Sequence, residues 1–337
     1  MANQIETNKA RGRLMMKVSV CIVTYNQAKF IGQAIESALN QKTNFDFEIL
    51  VGDDCSTDGT QDIVKHYAQQ YPGRVIPVLQ TKNLGQNGLF NTNETYARAK
   101  GRYIAAFDGD DYWTDPNKLQ KQVDFLDANP TFSTCFHNAL ITFEDQSPSQ
   151  LLNTPDQKTE YSLEDLIGED EIWFMATSSV MFWNVIKEYP DWFYKSVSGD
   201  IPRYVLFAKH GKIGYLPDVM SVYRKNKNGT SFTDKEEDAN FLWNRINLYE
   251  GINRELAYKY NHTLRKNIAR YFYKMLFSKQ YAHTYLAKAA IAVKYLKYGK
   301  PEPQRRNEIV RDHIVPPALL RIYSFFALMI YRLKEKM

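Results

Sequence analysis

Cysteine is scarce. Cys21, Cys55 and Cys135 are the only thiols in 337 residues, an odd number with no C-x-x-C spacing, so neither a disulfide framework nor a thiolate zinc site is indicated. Cys55 reads as a small semi-buried filler. No apolar h-region stands near the N-terminus, where residues 1–14 form a polar extension and Met15 or Met16 reads as an alternative start. No signal peptide is expected, and the chain reads as cytoplasmic and reduced. The longest apolar run, near the C-terminus, is cut by Arg321, and only ten residues separate Arg321 from Arg332, against roughly 20 needed to span a bilayer. Three Asn-x-Ser/Thr sequons, at Asn93, Asn228 and Asn261, read as chance matches. No recognised nucleic-acid motif accompanies the basic residues, so no nucleic-acid partner is expected.

What is present begins with acid. Asp108-Gly109-Asp110-Asp111 follows the apolar run Tyr103-Ile104-Ala105-Ala106, so three carboxylates crowd the end of a predicted buried strand. Their mutual repulsion calls for a cation. Mg²⁺ and Mn²⁺ suit such a place, because they take one or two protein carboxylates and leave their other positions to water and phosphate oxygens. A solvated Asp-Gly turn is the alternative. A second acidic cluster, Asp53-Asp54-Cys55-Ser56-Thr57-Asp58-Gly59-Thr60, follows the strand-like Phe47–Val51 and precedes a helical pattern at Ile63, Val64, Tyr67, Ala68 and Tyr71. A third strand, Val18–Val23, ends in Thr24-Tyr25-Asn26 before a helix with Phe30, Ile31, Ala34, Ile35, Ala38 and Leu39 inward. Ligand-type residues at three strand ends in β-α-β-α order predict an α/β fold with a mostly parallel sheet that collects its site along one edge.

Val20–Asn26, Asp53–Thr60, Asn83-Leu84-Gly85 and Asp108–Asp111 together resemble the successive motifs of the inverting family 2 glycosyltransferases, in order and spacing over about the first 130 residues. The resemblance implies a GT-A fold, Rossmann-like, and a nucleotide diphosphate sugar as donor. It implies donor contacts from Thr24, Tyr25, Asn26, Asp54, Asn83, Gly85, Asp108, Gly109 and Arg224, with Tyr25 stacking on the base and Asp54 accepting from a uracil N3–H, which favours a UDP-sugar. It implies Mn²⁺ or Mg²⁺ on Asp108 and Asp110. A sugar nucleotidyltransferase would need a glycine-rich loop where Val23-Thr24-Tyr25-Asn26-Gln27-Ala28 stands. A non-catalytic sugar-nucleotide-binding or scaffold protein of the same fold remains the alternative.

Downstream, Thr131–Phe143 reads as a strand and residues 144–160 as an exposed loop. Ile172–Phe182 reads as a buried floor beneath the acceptor. Ser198-Gly199-Asp200-Ile201-Pro202 opens a helix that runs to His210-Gly211. By the resemblance Asp200 is the general base; as an N-cap it would stabilise the helix by about 1 kcal/mol. Many relatives carry a histidine near Asn226, but none occurs here between His210 and His262; Arg224, Lys225 and Lys227 read either as cations that neutralise a diphosphate in its place or as a solvated basic loop.

Charge is uneven. Residues 1–240 hold 24 Lys and Arg against 32 Asp and Glu, whereas residues 241–337 hold 19 against 6. The predicted division is therefore a polar extension (1–15), a catalytic domain (16–235), a basic helical region (236–304) and an amphipathic C-terminal helix (305–337). That helix is expected to hold the chain on the cytoplasmic face of an anionic membrane, near a glycan or lipid-linked glycan acceptor of surface polysaccharide synthesis. Packing against the protein, as in a homodimer, is its alternative role.

Overall fold

Three apolar runs with few turn residues build the centre of the sheet. They are β1 (Val18–Thr24), β2 (Phe47–Asp53) and β4 (Tyr103–Asp108), and β2 is buried along its whole length. The computed structural model describes residues 16–85, 88–168, 175–196, 198–225, 239–281, 284–322 and 325. The readings made for residues 1–15, for Ile172–Phe174, for Asn226, Lys227 and Asn228, and for residues 323–324 and 326–337 lie outside this set.

With β3 (Val75–Leu79), β5 (Tyr112–Trp113), β6 (Phe132–Phe143), β9 (Met181–Trp183) and β10 (Lys212–Lys225), the sheet runs β3-β2-β1-β4-β9-β6-β10-β5. Strands β3, β2, β1 and β4 are mutually parallel, and β9 enters antiparallel between β4 and β6. Helices α1 (Ile31–Leu39), α2 (Thr60–Gln70) and α3 (Leu89–Ala97) make the crossovers, which parallel neighbours require. α4 (Lys118–Ala128) and the short α5 (Leu163–Ile167) follow. The mixed, mostly parallel sheet with flanking helices is the expected α/β architecture.

The inward face of α1 is as its periodicity predicts, with Ile31, Ala34, Ile35 and Ala38 buried. In α2 Tyr71 departs from the pattern: the helix ends at Gln70 and the Tyr71 ring is exposed. Residues 144–160 are more than a loop. β7 (Gln150–Leu151) pairs with β6, and β8 (Glu160–Tyr161) pairs with β10, while buried Asn153 exchanges hydrogen bonds with Asn138. The segment from Met220 to Lys225 continues β10, a single strand whose register against β6 shifts around Asp218. That bulge lets one strand bend from the helix end towards the acidic cluster.

The chain divides into two compact units, residues 1–166, 171–189 and 198–230 in one, and residues 167–170, 190–197 and 231–337 in the other. The second contains α7 (Ala239–Glu255), α8 (Asn261–Leu276), α9 (Tyr285–Gly299) and α10 (Pro303–Ile309), followed by a π-helical turn at Val310–Ile314. Its interior holds Ile246, Tyr249, Ile252, Leu264, Ile268, Phe272 and Met275. Trp192 joins it from upstream, donating Nε1–H to Glu255. Among the described residues no helix is long and apolar enough to cross a membrane.

Candidate active site

Register brings the predicted strand ends together. Thr24 lies opposite Asp53, and Val23 opposite Asp108, so the carboxyl ends of β1, β2 and β4 share one edge, where an open α/β sheet binds ligands. The loop after β1 is laced to the loop after β2. Asp54 N–H donates to the Thr24 carbonyl at 3.0 Å, Asn26 N–H to Ser56 Oγ, and Thr57 N–H to Asn26 Oδ1, each at 2.8 Å. Asn26 adopts φ +53° and Cys55 φ +63°, left-handed turns that the lacing holds. Tyr25 is left half exposed at the edge, and Asp54 is buried beside it.

Asn83 reaches this cluster from the loop after β3. Its Nδ2 donates to the Asp54 carbonyl, its Oδ1 accepts from Gly85 N–H, and Asp54 Oδ1 accepts from Leu84 N–H at 2.8 Å. Burial raises the Asp54 carboxyl, the Leu84 N–H lowers it, and the neighbouring Asp53 charge raises it further.

Around the second cluster the fit is close. Gly109 N–H donates to the Val23 carbonyl at 2.8 Å, and a Cβ there would sit 2.7 Å from Gln27 Oε1 and 2.9 Å from Thr24 Oγ1, so only glycine fits. Thr24 Oγ1 donates to Gln27 Oε1, and the Gln27 side chain also hydrogen-bonds Asp110. Asp108 is pushed up to about 8 by burial, then by the charges of Asp110 and Asp200, with Arg203 opposing. Asp110 is raised by burial, against the pull of Arg224 and Gln27.

Asp111 is raised by burial and then by the charges of Asp110 and Asp108. It is buried, with Oδ1 accepting Arg224 N–H at 2.9 Å, while Oδ2 has no hydrogen-bond partner among the described residues. Among the described residues no three acidic, His or Cys side chains converge as cation ligands. The crowd of three read from sequence is present, with Asp111 the most buried of the three and Asp108 and Asp110 less so. A pair whose members are raised by burial, with Asp108 raised further by the Asp110 charge, fits a divalent cation that takes one or two protein carboxylates.

Asp200 is the first residue of α6 (Asp200–Ala208). The cap is Gly199, and the side chain that accepts a first-turn N–H is that of Ser198, whose Oγ lies 3.4 Å from the Asp200 nitrogen, so the N-cap alternative does not describe Asp200. Burial raises the Asp200 carboxyl and Arg203 opposes the rise. Arg224 lies on β10, its guanidinium bonded to the Asp110 carbonyl and to Gln33 Oε1, over the rings of Tyr112 and Phe30. Met175–Phe182 is buried apart from half-buried Thr177, and the Ser178 carbonyl accepts from Trp113 Nε1.

Sequence reasoning missed Arg203, Gln27 and Tyr223. Burial and then the charges of Asp111, Asp108, Asp110 and Asp200 raise the Tyr223 phenol, so it stands among all four carboxylates. Arg203 had a signal: it is the lone cation in the otherwise apolar run Ile201–Ala208.

Residues 19–184 match the family model described as glycosyl transferase family 2. An uncharacterised protein of Mycobacterium tuberculosis, Rv1520, is 33% identical over 232 residues, which is 65% of this chain and 63% of that protein. WfaP of Escherichia coli, a UDP-Glc:alpha-D-GlcNAc-diphosphoundecaprenol beta-1,3-glucosyltransferase, is 37% identical over 118 residues, 35% of this chain and 44% of that protein. The chain therefore spans less than two thirds of the length of either. Residues 1–349 of Staphylococcus aureus TarS, solved with UDP, share the fold, with a TM-score of 0.56 at 17% identity over 87% of this chain and 83% of that one. The chain carries a glycosyl transferase family 2 domain of GT-A fold over residues 19–184, which hold Asp54, Asp108 and Asp110 of the site above, while Asp200 and Arg224 follow it in the chain.

Proposed function

We propose that this family 2 chain is an inverting glycosyltransferase that moves a sugar from a nucleotide diphosphate donor, by preference a UDP-sugar, to a glycan or lipid-linked glycan in surface polysaccharide synthesis. The observation that carries the reading is the gathering of Asp108, Asp110 and Asp200 from two distant segments into one electrostatically coupled group. Such a group supplies a cation-binding pair on one side and a base on the other.

Asp200 takes the proton of the acceptor hydroxyl as its oxygen attacks the anomeric carbon from the face opposite the leaving group. The new C–O bond forms while the bond to the diphosphate breaks, and the electron pair leaves with the diphosphate. Mn²⁺ or Mg²⁺ bound by Asp110 and Asp108 would neutralise charge on the diphosphate, electrostatic stabilisation of the kind that is usually the largest catalytic contribution. Arg224, beside Asp110, adds a fixed positive charge. Tyr25 offers its exposed ring to the base, Asp54 a carboxylate oxygen to the base edge, and Asn83 and Gly85 hold the Asp54 loop. The uridine preference draws on WfaP, named for UDP-Glc, and on TarS, solved with UDP. Residues 16–235 form the catalytic domain in this reading, residues 236–304 a basic helical region, and residues 305–337 a basic C-terminal segment that holds the chain to the cytoplasmic face of the membrane. That segment is not one continuous helix, because α10 gives way to a π-helical turn at Val310–Ile314.

Incubating purified protein with a panel of nucleotide sugars and Mn²⁺ or Mg²⁺, and measuring nucleotide release, tests the proposal. Release from a UDP-sugar, lost in Asp110→Ala, is expected. Release by the variant that still rises with Mn²⁺ removes the cation assignment, and none from any donor favours the non-catalytic alternative.

A further inference from the structure

Helix α6 buries every residue from Pro202 to Ala208, and one of them is Arg203, only 5% exposed. A buried guanidinium is costly unless it is paired and hydrogen-bonded, so its surroundings indicate its task. Nη2 donates to Asn93 Oδ1 of α3 at 3.0 Å, and Nε donates to Tyr189 Oη at 3.4 Å. The guanidinium carbon lies 5.1 Å from the centre of the Tyr96 ring and 5.6 Å from that of Tyr189. Gly199, the helix cap, makes room for it: a Cβ there would stand 3.0 Å from Nη1 and 2.7 Å from Leu89 Cδ1. The cation is therefore clamped by three segments and pressed against the first turn of the helix that starts with Asp200. Arg203 and Asp200 are three residues apart, which places their side chains on neighbouring positions of one helical face.

We propose that Arg203 is the positioning residue for Asp200, a fixed positive charge that holds the carboxylate aimed at the acceptor hydroxyl. This rests on the reading of Asp200 as base. Burial disfavours the charged form of Asp200 and Arg203 is the group that opposes it, as it also does at Asp108. The clamp also accounts for Asn93, which as a sequon would be exposed and here is buried against Arg203. A packing cation for Tyr189 and Tyr96 would need no connection to Asp200, and that difference is measurable.

A double-mutant cycle on the full chain isolates the pair. Arg203→Met should lower the melting temperature by at least about 2 °C more in the wild-type background than in Asp200→Asn, because only in the former does it strand a half-buried, desolvated carboxylate. In acceptor-dependent transfer, Arg203→Met should cut kcat by about 10²-fold with donor KM little changed, the scale of a misaimed catalytic group. Arg203→Lys, which keeps the charge but not the fork, should recover part of that loss and guards against a variant that fails to fold. Equal melting losses in both backgrounds, or parallel changes in KM and kcat with no rescue by lysine, overturn the proposal. Absence of nucleotide release by the wild-type protein instead overturns the glycosyl-transfer reading, while the cycle, which needs no substrate, still decides whether Arg203 holds Asp200.

Discussion

At Asp200 the choice is between a carboxylate that stabilises a helix and one that moves a proton. The residue occupies the first helical position behind a Gly199 cap, with no capping bond from its side chain, so its replacement by an isosteric amide has little helix energy to lose. Asp200→Asn should leave donor affinity nearly intact and lower transfer by about 10²–10⁴-fold, the usual worth of a positioned base. Burial raises this carboxyl above its ordinary value, with Arg203 opposing. A base works only when ionised, so the transfer rate should rise with pH through a limb displaced above the usual carboxylate range and be lost as pH falls through it. That limb should vanish in Asp200→Asn. Near-normal turnover with a lowered melting temperature would make Asp200 structural.

The elements that carry the site are held by contacts with little tolerance, and the junction of β2 with α3 is the tightest. Asn91 Nδ2 donates to the Gly52 carbonyl at 2.8 Å, and a Cβ on Gly52 would stand 1.9 Å from Thr95 Oγ1. Asp53 and Asp54 follow at once, so a shift of α3 is passed to the donor edge. Gly52→Ala should destabilise by about 1–3 kcal/mol, the cost of overpacking, read from urea unfolding. Thr95→Ala in the same chain should restore part of the loss, since it removes the clashing hydroxyl; no restoration would place the strain elsewhere. The burial of Glu48 beneath the same strands follows similar logic: its carboxylate accepts from Ser19 Oγ at 2.7 Å and Lys100 N–H at 2.8 Å, so the charge is hydrogen-bonded rather than stranded.

Over the whole molecule the positive charge gathers in the last third of the sequence, where Leu319, Ile322 and Phe325 are exposed at three-residue spacing. Such a face, with Arg321 beside it, suits an anionic lipid surface, each basic residue contributing on the order of 1 kcal/mol. Arg305 and Arg311 contribute less, because they are ion-paired with Glu308 and Asp312. Sedimentation with anionic liposomes should weaken as salt rises, given a screening length of about 8–10 Å at physiological ionic strength. It should disappear on truncation after Val315, a cut that spares the buried Ile309. Equal sedimentation with neutral liposomes at every salt concentration, or none, would return these side chains to a packing role within the protein or a second copy of it.

Sequence alone placed β1, β2, β4 and β6, the helices α1 and α2 and the order of the acidic motifs, because apolar runs and helical periodicity are local properties. Strands β3, β7, β8 and β9 and helix α3 came only with the structure. Given a parallel sheet, the edge where Thr24, Asp53 and Asp108 meet follows from chain direction. Tertiary structure decided where individual side chains went. Asp108, Asp110 and Asp111 are near-identical neighbours in sequence, yet the strand β10 draws Asp111 inward through the Arg224 amide and leaves the other two at the edge. Arg203 meets Asn93 across 110 positions, and no local pattern carries such a pairing, since it depends on two helices lying against the same face of the sheet. Trp192 likewise lies in a short segment, residues 190–197, that belongs to the second unit although the segments on either side of it belong to the first. Periodicity specifies which face a residue takes, and only packing between distant segments specifies its partner.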